Sequence, residues 1–132
     1  MWWCCLFTTL PVCDAPSQQV HPEPSEPWAA PVDGESVVVK HTVNGFYGTG
    51  LEKELQAHGI THVVVCGLVT SICVQGTANG GLERGFAVGV VPECCGDHTP
   101  LRHNGTMGMY GDYMYDLMTV DEIETTWTDR RK

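Results

Sequence analysis

The chain has 132 residues, of which 42% are hydrophobic, and its formal net charge is −9. This length predicts one domain with enough buried apolar surface to fold without disulfides or metals. The acidic balance excludes a basic surface for nucleic acid, and no apolar run approaches the ~20 residues of a membrane-spanning helix. The charge favours a neutral or cationic small-molecule substrate, although acidity serves solubility equally well.

The seven cysteines are an odd number, with two adjacent pairs and no Cys-x-x-Cys. This spacing is typical of neither a disulfide framework nor a zinc module. We therefore expect reduced thiols in a cytoplasmic compartment, with no metal and no cofactor. Cys94 and Cys95 stand beside Asp97 and His98, but adjacent cysteines point apart, so we expect no metal site there either.

Residues 1–31 contain six prolines, which argue against a long helix or a central strand. We interpret this segment as an irregular arm. Its first residues resemble the core of a signal peptide but lack a basic start. We place the folded domain at residues 32–126 and a polar tail at residues 127–132.

The domain begins with a predicted strand, helix and second strand at residues 36–41, 51–58 and 61–66. Thr49 and Glu52 have the spacing of a capping box at the start of this helix. Such strand–helix–strand units build parallel sheets, whose ligands gather at the carboxyl ends of the strands.

The later elements follow the same alternation. We predict a helix over residues 73–83 whose glycines pack closely on the sheet, and a helix that begins at Thr99 and Pro100. The remaining predictions are a strand at residues 86–91, a loop at 92–98, a short strand within 112–119 and a last helix from Val120.

The most informative stretch is residues 67–74, GLVTSICV, which follows an apolar strand and leads into a helix. Cys73 lies on the first helical turn, where unpaired N–H groups and the helix dipole favour a thiolate. Cys73 is therefore either a nucleophile or a small buried hydrophobic residue. Lys40 ends its predicted strand and either emerges into water or supplies a cation to the same cleft.

Five motifs in order resemble the isochorismatase-like cysteine hydrolases, a family that includes nicotinamidases and N-carbamoyl amidohydrolases. The resemblance extends from about residue 20 to about residue 124. It implies a three-layer α/β/α fold with a mainly parallel sheet in the order 3-2-1-4-5-6. The motifs are VVK at residues 38–40, FYGTGL at 46–51, GI at 59–60, GLVTSICV at 67–74 and TA at 77–78.

The resemblance also implies an Asp, Lys, Cys triad that cleaves an amide or ureido C–N bond through an acyl-enzyme. Cys73 falls on the nucleophile and Lys40 on the lysine. The backbone N–H groups of Val69 and Cys73 fall on the oxyanion hole, and the peptide bond between Leu68 and Val69 is expected to be cis. The expected substrate pocket includes Phe46, Tyr47 and Thr70.

Two departures from the family pattern affect these expectations. Ser71 replaces the acidic residue of the cysteine motif, and we find no first strand that ends in the catalytic aspartate. Asp14 is the one loosely similar candidate, and it lies among prolines. We therefore expect a chain truncated at its amino terminus that lacks the first strands of the fold.

Two other interpretations stay open. In the first, the chain is a catalytically impaired fragment that acts as a binding or oligomerising module. We expect a homo-oligomer whether the chain is an active hydrolase or such a fragment. In the second, Cys73 is a redox-sensing thiol. The expected partners are a small-molecule substrate and further copies of the chain, with neither nucleic acid nor membrane.

Overall fold

A computed structural model describes the backbone of Trp2–Phe7 and of residues 127–129, and both backbone and side chains of residues 33–126. The described strands form one sheet in the order β1-β2-β3-β4, and each neighbouring pair is parallel. These strands are β1 (Trp2–Phe7), β2 (His62–Leu68), β3 (Ala87–Gly96) and β4 (Asp116–Leu117). The predicted α/β class with a parallel sheet is confirmed.

Within the described residues, four α-helices alternate with these strands. They are α1 (Leu51–Ala57), α2 (Gln75–Leu82), α3 (Pro100–Tyr110) and α4 (Val120–Asp129). Helix α4 continues past residue 126, where we placed the end of the domain, as far as Asp129. None of the helices within the described ranges has the length and apolar character to cross a membrane.

The core is centred on β2, where four successive residues, Val63, Val64, Val65 and Cys66, are all buried. Successive side chains of a strand point to opposite faces of the sheet, so both faces are covered at this strand. This is the arrangement that a three-layer fold requires. Leu55 of α1 is completely buried in the same core.

The prediction of an irregular arm over residues 1–31 is wrong for Trp2–Phe7, which forms β1 and pairs with β2 along its whole length. The resemblance places the first strand of the family beside the strand before the cysteine, and β1 lies there. The expectation that the first strands are lacking is therefore wrong for this position. An unbroken apolar run is typical of a strand in a parallel sheet, and it ends before the first proline, Pro11. The rest of the predicted arm, residues 8–32, lies outside the described residues.

The predicted strand at residues 36–41 does not form. A strand needs a neighbour for its backbone groups, and among the described residues the sheet ends at β1. The Ser36 hydroxyl instead donates to the Glu54 carboxylate of α1 at 2.7 Å. Lys40 is buried nonetheless, at 5% exposure.

Strand β3 is longer than predicted, because residues 92–96 continue it instead of forming a loop. The register with β2 is interrupted between Val65 and Gly67, and it resumes with Gly67 opposite Cys95 and Leu68 opposite Gly96. The strand can accommodate Pro92 because it falls within the interruption, where a missing N–H breaks no regular ladder.

The helix caps agree only partly with prediction. Thr99 caps α3 as expected, since its hydroxyl accepts from the Arg102 N–H at 3.3 Å. The predicted capping box at α1 is wrong: Gly50 is the N-cap, and the Glu52 carboxylate is bonded to the Arg84 guanidinium at 2.9 Å. A reciprocal capping box forms at α4, and its Thr119 N–H, followed by the Thr119 hydroxyl, lowers the pKa of Glu122.

The glycines of α2 allow close contact, as predicted, but mostly with the loop at residues 42–46. A Cβ at Gly76 would lie 3.1 Å from the Val43 carbonyl oxygen, and one at Gly80 would lie 2.8 Å from the carboxamide carbon of Asn44. A Cβ at Gly81 would lie 3.1 Å from a methyl group of Val88 on the sheet. The bare face of α2 thus seats this loop.

We expect Gly80→Ala to destabilise the protein and Gly105→Ala to stabilise it by up to ~1 kcal/mol, although both replace a helical glycine. The first methyl group displaces the Asn44 side chain, which accepts from the Phe46 N–H at 2.8 Å. The second enters open space on α3. Urea unfolding of both variants checks this, and an equal effect at the two positions would contradict the packing argument.

Candidate active site

The candidate site lies at the carboxyl end of β2. The Leu68–Val69 peptide bond is cis, at the position that the family resemblance implies. The chain then enters a π-helical turn, Thr70–Val74, which we call the Cys73 turn and which continues directly into α2. Cys73 is 6% exposed. The sequence thus located the nucleophile candidate correctly at the junction of a strand and a helix.

One carbonyl group organises the backbone of the Cys73 turn. The Val69 carbonyl oxygen accepts from the N–H groups of Ile72, Cys73 and Val74, at 3.1, 3.0 and 3.2 Å. The Cys73 N–H is therefore engaged inside the turn, and its expected role in an oxyanion hole stays a prediction. Three donors share the two lone pairs of one oxygen, so the turn can release one N–H at little cost.

The end of β3 supplies a carboxylate to the same turn. Asp97 Oδ2 accepts from the Ser71 N–H at 2.7 Å, and Oδ1 accepts from the His98 N–H at 2.7 Å. The side chain of Asp97 is inaccessible to solvent, and the Arg102 guanidinium is 3.7 Å from Oδ1. Burial raises the pKa of Asp97, but the hydrogen bonds from Ser71 and His98, together with Arg102, outweigh it and lower the pKa overall.

Thr70 ties the turn to two further elements. Its side chain is completely buried, and Oγ1 donates to the Gly96 carbonyl at 3.0 Å. The same oxygen is 2.9 Å from Nδ1 of His103 on α3. Because both partners occupy this hydroxyl, Thr70 belongs to the scaffold of the turn, although we expected it in the substrate pocket.

The Lys40 ammonium group donates to the Thr42 carbonyl at 3.0 Å, at the start of the loop that packs on α2. The Gly45 N–H of this loop donates to the Thr77 hydroxyl of α2 at 3.0 Å. The structure therefore holds Lys40 in a loop seated on the helix that follows the Cys73 turn. This is the connection between the two predicted catalytic residues.

The two aromatic residues expected in the substrate pocket lie in different environments. Phe46 is a core residue at 4% exposure, and its ring stacks on Phe86 with centroids 5.8 Å apart. The Arg84 guanidinium lies 5.1 Å from the centroid of the Phe46 ring. Tyr47, in contrast, is 67% exposed. Phe46 is thus part of the core, and only Tyr47 presents its side chain to solvent.

The start of α2 is anchored by a hydrogen bond that sequence reasoning missed. The Tyr115 hydroxyl donates to Gln75 Oε1 at 2.7 Å, and Gln75 Nε2 donates to Asn79 Oδ1 at 2.9 Å. Burial, followed by the proximity of Cys95 and Tyr110, raises the pKa of Tyr115 to about 12. Tyr115 therefore stays a neutral donor across the physiological range.

Asp97 and His103 are also contacts that the sequence did not reveal. The available signal for Asp97 was its position just after a strand end, where parallel sheets collect polar groups, whereas His103 lies within α3. No cluster of three or more potential metal ligands occurs within the described residues. Cys73 is a free thiol.

The fold is similar to that of solved isochorismatase-like hydrolases. An isochorismatase-like hydrolase from Alkaliphilus metalliredigens aligns with a TM-score of 0.74 at 28% identity, over 77% of this chain and 59% of that one. N-carbamoylsarcosine amidase from Thermoplasma acidophilum aligns with a TM-score of 0.60 at 37% identity, over 71% and 53%.

The sequence matches the isochorismatase domain family over residues 12–122, so the chain belongs to the isochorismatase family of hydrolases. Maleamate amidohydrolase from Pseudomonas putida is 36% identical over 87 residues, which are 63% of this chain and 41% of that protein. The chain thus spans about half the length of the curated relatives that it matches.

We expect Asp97→Asn to destabilise the protein by about 2 kcal/mol at neutral pH, because an amide NH₂ group then faces one of two backbone N–H donors. The lowered pKa of Asp97 contributes stability above the unfolded value of 3.8, and this is lost as the pH falls through the folded pKa. The difference from wild type should therefore shrink in acid. Denaturant unfolding over a pH series measures it, with exposed Asp116→Asn as the control; a constant difference would contradict the linkage.

Proposed function

We propose that this chain hydrolyses the C–N bond of a small amide or carbamoyl compound through an acyl-enzyme on Cys73. The observation that carries the proposal is the position of Cys73, which is 6% exposed in a turn at the carboxyl end of a strand in a parallel sheet. The names of its relatives support the reaction class, since they include a maleamate amidohydrolase and an N-carbamoylsarcosine amidase.

In the proposed reaction, the Cys73 thiolate attacks the carbonyl carbon and forms a C–S bond. The C–N bond then breaks, and the nitrogen leaves as ammonia or an amine after it takes up a proton. Water hydrolyses the resulting thioester and restores the thiol. The Val69 and Cys73 N–H groups are the proposed donors to the oxyanion, the latter after it leaves the shared Val69 carbonyl.

Lys40 has the proposed role of a buried cation that steadies the thiolate and the oxyanion. Its ammonium group needs a fixed seat for that task, and the Thr42 carbonyl provides one. Because the loop at residues 42–46 is bonded to α2, Lys40 and the Cys73 turn belong to one packed unit.

Proton transfer is the step for which we identify no good general base among the described residues. Asp97 is bonded to the Cys73 turn, but each of its oxygens accepts a backbone N–H and its pKa is lowered, so it is a poor base. A positioned acid–base group typically contributes ~10²- to 10⁴-fold to the rate. We therefore propose slow turnover for this chain.

We expect wild-type protein to release ammonia slowly from at least one of maleamate, nicotinamide and N-carbamoylsarcosine, and Cys73→Ala to reduce the rate to background. The matched control is Cys94→Ala, which removes an exposed thiol and should keep the wild-type rate. A coupled ammonia assay measures all three proteins.

Equal rates for wild type and Cys73→Ala would contradict a nucleophilic role for Cys73. Rapid alkylation of Cys73 without ammonia release from any amide would favour the redox-sensing interpretation instead.

A second candidate function, an oligomerising module, is favoured by the apolar residues that α3 and the following turn present to solvent. Leu101 is 83% exposed, Met109 67% and Tyr113 87%. A second copy of the chain is the proposed partner, beside the small-molecule substrate. Neither nucleic acid nor membrane is part of this proposal, and reduced cysteines favour a cytoplasmic location.

We expect size-exclusion chromatography with light scattering to give a dimer or larger species for wild type, because association covers these side chains. The double variant Leu101→Glu/Met109→Glu should shift the protein toward a monomer. A wild-type protein that stays monomeric at the highest soluble concentration would contradict the oligomer proposal.

A further inference from the structure

The Thr70 hydroxyl has two partners, and its single hydrogen can serve only one of them. A carbonyl oxygen has no proton to offer, so the hydroxyl donates to Gly96 at 3.0 Å. Its contact with His103 Nδ1 at 2.9 Å must then be one in which the oxygen accepts. The tautomer of His103 follows from this count: the ring carries its proton on Nδ1.

This pair connects three elements. Thr70 is the first residue of the Cys73 turn, Gly96 is the last residue of β3, and His103 lies on the first turns of α3. Cys73 lies three residues after Thr70, within the same turn. A restraint on Thr70 is thus a restraint on the turn that carries Cys73.

His103 is not needed to satisfy Thr70, because the bond to Gly96 already does so. Nor does it hold α3 to the Cys73 turn alone, since Asp97 bonds Ser71 and lies beside Arg102. The Nδ1–H instead restrains the orientation of the Thr70 hydroxyl, since it bonds to one of the two lone pairs of the oxygen. A group that restrains an already bonded, completely buried hydroxyl acts on geometry more than on stability.

We propose that His103 is a positioning residue, which acts through Thr70 to orient the Cys73 turn for attack. Its effect on turnover rests on the proposed amide hydrolysis, whereas its effect on the reactivity of the Cys73 thiol does not. His103 has no proposed contact with substrate.

Two substitutions of His103 separate the effect of its hydrogen-bond donor from the effect of its bulk. In His103→Asn the side-chain NH₂ group takes the place of Nδ1–H and can still donate to Thr70, while His103→Leu has similar bulk and no donor. Phe86→Leu serves as a stability control, because it loosens the core at the amino end of β3, away from Gly96.

The experiment measures alkylation of Cys73 by iodoacetamide, followed by peptide mass spectrometry, together with kcat, KM and the melting temperature. We expect His103→Leu to slow alkylation and lower kcat by about tenfold with KM little changed, since small displacements of a reacting group have effects of this order or larger. His103→Asn should stay within about threefold of wild type, and Phe86→Leu should melt earlier yet alkylate like wild type.

Equal alkylation rates in His103→Leu and wild type would overturn the proposal. It would also fail if His103→Asn lost as much reactivity as His103→Leu, because the effect would then follow the ring and not its donor. If wild type releases no ammonia but the alkylation rates keep the expected order, the proposed hydrolysis fails while the positioning role of His103 stands.

Discussion

The site depends on one physical constraint, which is that the Thr70 hydroxyl and the Ser71 N–H of the Cys73 turn need hydrogen-bond partners from other elements. The Cys73 turn lies at the carboxyl end of β2. The end of β3 and the start of α3 supply the hydrogen-bond partners that the turn itself does not provide. Asp97 takes the Ser71 N–H, and the Gly96 carbonyl takes the Thr70 hydroxyl. These partners are in place because β3 runs on to Gly96, opposite Leu68. The length of that strand is therefore part of the site.

The other half of the site is held by contact between a loop and bare helix backbone. Gly76 and Gly80 leave room for Val43 and Asn44, and the Thr77 hydroxyl between them accepts from the loop. Glycine weakens a helix, so its presence here reflects the need for close approach. The same loop carries the carbonyl group that seats Lys40. The glycines thus lower the stability of α2 but allow the loop to hold Lys40 in a defined position.

Strand β1 completes the sheet beside β2 but does not carry a catalytic side chain. Parallel pairing uses backbone groups, so an apolar strand of almost any composition satisfies β2 along that edge. Catalysis in the family pattern needs a carboxylate, and Trp2–Phe7 contains neither aspartate nor glutamate. Asp14, the candidate from the sequence, lies outside the described residues. Strand β1 thus occupies the position of the first strand of the family, but it does not supply the catalytic aspartate that the resemblance implies there.

The sequence alone was sufficient for elements whose signals are local. Helix α1 with its stop at Gly59, the cap of α3 at Thr99, and the strand and helix on either side of Cys73 all follow from neighbouring residues. The family resemblance placed the cis bond at Leu68–Val69 and identified Cys73 and Lys40 as candidates.

Only the tertiary structure decided the features that depend on distant partners. The sequence predicted a strand at residues 36–41, but among the described residues no strand lies beside them. It also predicted Phe46 in the substrate pocket, but the Phe46 ring stacks on Phe86 in the core. The bonds of Asp97 to Ser71 and of His103 to Thr70 join residues 26 and 33 positions apart. No local pattern encodes such pairs, because the partner of a buried polar group lies far along the chain and only the fold brings the two together.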